Sequence, residues 1–88
     1  MIARPLFRSG TSIGANVVEA QAASSKKEFA NFLNHALKSA NESKFWLAIL
    51  RDSGKGRREV VDRLLSETKE LANILGSSIL TLRGKRKV

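Results

Sequence analysis

Apolar residues recur along the chain at alternating steps of three and four. The pattern is clearest in its middle, where Phe29, Leu33, Ala36, Ala40, Ser43, Leu47 and Leu50 trace one seam of an α-helix. Ahead of it, Ser25-Lys26-Lys27-Glu28 reads as a capping box, with Ser25 as N-cap and Glu28 three residues on. Phe32, Leu37, Phe45, Trp46 and Ile49 widen the seam, as suits a helix touching more than one neighbour. The glycines of Ser53-Gly54-Lys55-Gly56 predict a helix-to-helix turn. Beyond it, Val61, Leu64, Thr68, Leu71, Leu75, Ser78 and Leu82 repeat the spacing, and Gly84 is a fitting stop. So short a turn makes these two helices antiparallel.

The first segment is weaker. Pro5 suits a first helical turn, and Leu6, Gly10, Ile13, Val17 and Ala20 keep the helical spacing. Gly10, Thr11, Ser12 and Gly14 lower the propensity. The spacing predicts a helix of small residues, with Gly10 and Gly14 facing a close neighbour. The alternative is a loop ending near Asn16. The fold expected is all-α, an antiparallel bundle of three helices over about 3–22, 25–52 and 57–83. Residues 1–84 form one domain, and 85–88 a basic tail.

Composition narrows the function. No cysteine is present, which removes disulfide scaffolds, thiolate zinc sites and thiol catalysis. No apolar run is long enough to span a membrane, and no signal peptide is visible, so a cytoplasmic protein is expected. Folding an 88-residue chain buries only about 64% of its surface, so a homo-oligomer is expected to supplement the core.

Sixteen Lys and Arg against eight Asp and Glu leave a net charge of +8. Antiparallel helices sort these cations to the two ends. Lys26, Lys27, Arg83, Lys85, Arg86 and Lys87 meet at one pole, and Arg51, Lys55, Arg57 and Arg58 at the other. Phosphate backbone, of RNA or DNA, is the natural ligand of such poles. The alternatives are a solubilising surface and a protein-docking module.

Catalytic chemistry is not visible. His35 is the single histidine and lacks a spaced second ligand, so no metal site and no cofactor are expected. Neither glycine-rich stretch matches a phosphate loop, and no nucleophile has a base beside it. The chain is therefore read as a non-enzyme. Asn16 and Glu19 sit on a helix that favours neither amide nor turn chemistry, and read as part of a buried polar network.

The run Arg8-Ser9-Gly10-Thr11-Ser12-Ile13-Gly14-Ala15-Asn16-Val17-Val18-Glu19-Ala20 resembles a family signature. The family is that of bacterial four-helix-bundle proteins encoded within intervening sequences of 23S ribosomal RNA genes. Glu28-Phe29, Phe32-Leu33, Ala36 to Ala40, Glu42 and Trp46-Leu47 agree with it. The resemblance covers about residues 6–83 and corresponds to helices two to four of the family. It implies a basic cytoplasmic protein, a ring-like homo-oligomer (commonly a pentamer), no established enzymatic activity and a nucleic-acid or ribosome-related role. Ser12, Asn16, Glu19 and Glu42 match the family motif and are expected to share the polar network. The family's usual first helix is missing ahead of Arg8, by a shortened gene or a misassigned start. Its absence implies an apolar groove, for which Phe45, Trp46 and Ile49 are the expected lining.

Overall fold

A computed structural model describes residues 2–84. Three helices account for nearly all of them: α1 (Ala3–Gln21), α2 (Lys26–Ser53) and α3 (Arg58–Leu82). The three predicted helices are present, with ends within a residue or two of those expected.

Each boundary has a local cause. Ser25 caps α2 from an extended backbone, its hydroxyl accepting from Glu28 N–H at 3.0 Å. The Glu28 carboxylate reaches back past the cap and accepts from Ser24 N–H at 2.8 Å. At the far end Gly54 takes the left-handed conformation, φ 70°, and its N–H bonds Arg51 C=O. Gly56 is required for space instead: a Cβ there would lie 2.7 Å from Val61 Cγ2. The glycine-rich part of α1 is helical, not a loop. Ser9 donates to Leu6 C=O, and Thr11 reaches Phe7 and Arg8 C=O, so its hydroxyls are satisfied within the helix.

The three helices form an all-α antiparallel bundle centred on α2: α1 and α3 each pack on it, and their backbones make no close approach to each other. The product is a layer with Cα extents of 43 × 25 × 14 Å. Its core is small: Ala36 and Ala40 of α2 lie at the centre and are fully buried, with Leu33, Ala20, Ala72, Leu75 and Ile79 around them. Small residues here let both flanking helices approach α2 closely.

Two side-chain expectations need correction. The buried stripe of α3 is Val61, Leu65, Ala72, Leu75 and Ile79. The predicted stripe shares Val61 and Leu75 with it, and Leu71 and Leu82 pack against the core from its edge, but Leu64 is 41% exposed. The contact with α2 is centred on a line rotated by roughly 50° from the predicted one. Gly10 and Gly14 have no neighbour either; a Cβ on either would meet nothing within 4 Å.

Candidate nucleic-acid interface

The pole where α2 begins and α3 ends holds an open hollow of about 470 Å³. Lys26, Lys27, Asn31, Asn34 and Arg83 line it, over Ala30 and Leu82. Two helices therefore deliver three cations to one place. No carboxylate lines the hollow. Glu28 is held away from it by its bonds to Ser24. Among the described residues none of the three cations forms an ion pair. Lys85, Arg86 and Lys87, expected at this pole, lie outside the described residues.

Lys26 and Lys27 occupy the first two positions of α2. Cations there oppose the helix dipole, which favours negative charge at an N-terminus by about 0.3–1 kcal/mol. An approaching anion would reverse that penalty and meet the free N–H groups of the first turn. Asn31 and Asn34 follow on the same side and add amide donors. Sequence alone did not single them out for this site; their spacing from Lys27 by about one and two turns was the available signal.

The opposite pole gathers the other expected cations, in a different state. Arg51 Nε lies 3.1 Å from Asp52 Oδ1, and Arg58 Nε 3.6 Å from Asp62 Oδ2. Lys55 and Arg57 are exposed on the turn between them. This end is partly neutralised by its own acids.

The expected polar network keeps Ser12 and Asn16, and serines take the place of the two carboxylates. Ser12 accepts from Ser39 Oγ at 2.8 Å, and Asn16 Nδ2 donates to Ser12 C=O at 2.9 Å. Ser9 and Ser43, both buried, add a second link between α1 and α2. Glu19 and Glu42 are exposed and stay outside it. The antiparallel register set by Ser9–Ser43 and Ser12–Ser39 puts Glu19 level with Phe32, about 15 Å along α2 from Glu42. Short hydroxyls fit the narrow seam; carboxylates so far apart share nothing.

Phe45, Trp46 and Ile49 are not where a groove lining would be. Ile49 sits roughly opposite Ala40 on α2, and Phe45 is 57% exposed on the same outer side. Phe45 and Trp46 form an edge-to-face pair with centroids 5.1 Å apart, and Trp46 Nε1 is buried without a partner. Helix α2 turns its small seam, not these rings, toward the side where α1 and α3 stand apart.

Other chemistry is sparse. His35 is exposed. Among the described residues no three acidic or histidine side chains gather to hold a metal, and no helix is long and apolar enough to cross a membrane.

A family profile described as 23S rRNA-intervening sequence protein matches residues 2–77. The chain belongs to this family. A crystal structure of a family-related protein, of unknown function and from the S23 ribosomal protein family of Bacteroides thetaiotaomicron VPI-5482, superposes with a TM-score of 0.85. It is 40% identical, and the match covers 90% of this chain and 73% of that one. No curated protein matches. Family membership agrees with the resemblance carried by Ser12, Ile13 and Asn16, which the fold places along the α1–α2 seam.

Proposed function

We propose that this chain binds the phosphate backbone of RNA or DNA, without catalysis, at the pole where α2 begins and α3 ends. The observation that carries this reading is the meeting of Lys26, Lys27 and Arg83 around one hollow free of carboxylates. Each cation neutralises one phosphate, and release of condensed counterions drives the association. Asn31 and Asn34 donate to phosphate or ribose oxygens. No aromatic ring lines the hollow, so bases are not stacked and selectivity is for backbone shape. The family description names 23S rRNA, which supports a ribosomal-RNA-related role in the cytoplasm. The opposite pole, with Lys55 and Arg57, is an auxiliary contact.

Fluorescence anisotropy with unrelated RNA and DNA probes, at about 50 and 200 mM salt, tests this. Log affinity should fall linearly with log salt. The triple variant K26A/K27A/R83A should weaken binding to every probe alike and lower the slope by about 2–3. No association with any probe at about 50 mM salt overturns the reading. A second reading, a protein-docking module, is favoured by the exposed apolar side chains Val18, Leu64 and Ile74.

A further inference from the structure

Lys27, Asn31, Asn34, Lys38 and Asn41 follow one another along α2 at alternating steps of four and three. That spacing places them on one stripe, roughly opposite the buried Ala36 and Ala40. Lys27, Asn31, Lys38 and Asn41 are exposed, and Asn34 is half-buried. The stripe starts inside the basic hollow, which Lys27, Asn31 and Asn34 help to line. Resting on the reading that this pole binds a nucleic-acid backbone, we propose that the strand it takes is RNA, recognised by these asparagines through its ribose 2′-hydroxyls.

Hydrogen-bond capacity is the first argument. Phosphate oxygens only accept, and Lys26, Lys27 and Arg83 already bring donors to the hollow. An asparagine amide brings a carbonyl acceptor as well as an NH₂ group. Nothing on a DNA sugar-phosphate backbone can donate to that carbonyl. A ribose 2′-hydroxyl donates and accepts, and it lies beside the phosphate that the cations hold. Further cations would suit phosphate alone; amides among cations suit phosphate next to a hydroxyl.

The amides are also unspent. Asn16 of α1 turns its NH₂ group back onto Ser12 C=O. Among the described residues, the side chains of Asn31, Asn34 and Asn41 form no hydrogen bond. Asparagine is a poor residue inside a helix, so three on one stripe carry a cost that the chain's own contacts do not explain. A ligand with paired donors and acceptors explains it.

Spacing sets the direction of the strand. Lys27 and Lys38 are three turns apart, about 16 Å along the helix axis. One phosphate cannot reach both, so they hold separate phosphates, with Asn31 and Asn34 level with the sugars between them. Glu42 is exposed one turn beyond Lys38 and closes the cationic stretch. The strand therefore leaves the hollow along the outer side of α2 and ends near Asn41. This stripe is polar throughout, so what lies on it must be polar too.

Fluorescence anisotropy with one sequence in three chemistries tests this: single-stranded RNA, the matching DNA, and the RNA with every 2′-hydroxyl methylated. RNA should bind about tenfold more tightly than either of the others, the worth of one or two net hydrogen bonds. N31A/N34A should bring RNA down to the affinity of DNA and leave DNA affinity and the salt slope unchanged. Its melting temperature should be equal or higher, since alanine is the better helix former. K38A should weaken RNA and DNA alike. Equal binding of RNA and DNA, with affinity still falling as salt rises, overturns this inference and leaves backbone binding standing. Methylated RNA bound as tightly as RNA also overturns it, as does an RNA preference that survives N31A/N34A. No association with any probe at about 50 mM salt overturns the backbone reading itself, and this inference with it.

Discussion

Ser9 and Ser43 share a hydrogen bond of 2.7 Å inside the α1–α2 seam, with both residues almost fully buried. Ser9 also donates to Leu6 C=O at 3.1 Å. One proton is thus committed to the backbone, which leaves Ser43 as the donor between the two hydroxyls. Replacing either by alanine removes one partner from a buried pair and should cost about 1 kcal/mol, while the double variant S9A/S43A should cost less than the two singles added. Urea denaturation of the four proteins gives the coupling directly. Strict additivity would mean that the hydroxyls do not interact.

The two glycines of the α2–α3 turn fail differently when changed. Gly54→Ala meets no steric obstacle and pays only for the left-handed backbone, roughly 1 kcal/mol. Gly56→Ala drives a Cβ toward Val61 and Leu50, which hold the start of α3 against the end of α2. Its cost should be larger, in the range of about 1–3 kcal/mol typical of overpacking. Thermal unfolding of both variants orders them, and G54A as the more damaging would contradict this account.

The two poles should respond unequally to neutralisation. Arg51 and Arg58 are already paired with Asp52 and Asp62, whereas Lys26, Lys27 and Arg83 face no carboxylate in their hollow. Such exposed pairs contribute about 0–1 kcal/mol to stability, so R51A/R58A should leave the melting temperature nearly unchanged. It should also lower RNA affinity less than K26A/K27A does. Equal losses from the two double variants would show that net charge, and not the hollow, sets binding.

Much of this fold is legible in the chain. The 3-4 spacing, the Ser25 cap and the Gly54 stop each act within one or two turns, so local sequence suffices to place them. The facing of α3 was legible only in part. Val61 and Leu75 of the predicted seam are buried, but with Leu64 and Leu65 both apolar, spacing alone cannot say on which side of them the contact with α2 is centred. The same limit displaced Phe45, Trp46 and Ile49: a helix apolar on several sides does not declare which side has no neighbour. Ser43 was visible within the seam, but its partner Ser9 depends on the register of two helices. The basic pole was readable from antiparallel topology, and its two asparagines became part of it only once α3 ended beside them.

The lack of close backbone approach between α1 and α3 governs how the molecule comes apart. Each flanking helix docks on α2, so detachment of one leaves the backbone packing of the other on α2 in place. Opening is then sub-global, with α2 the last segment to lose amide protection. Helix α1, with Gly10 and Gly14 in its middle, should be the first to leave. The residual α2–α3 hairpin consists of neighbours in sequence, and such contacts re-form quickly. A chain built this way yields in steps from one edge, and a ligand or partner that touches only α2 and α3 has little power to hold α1 in place.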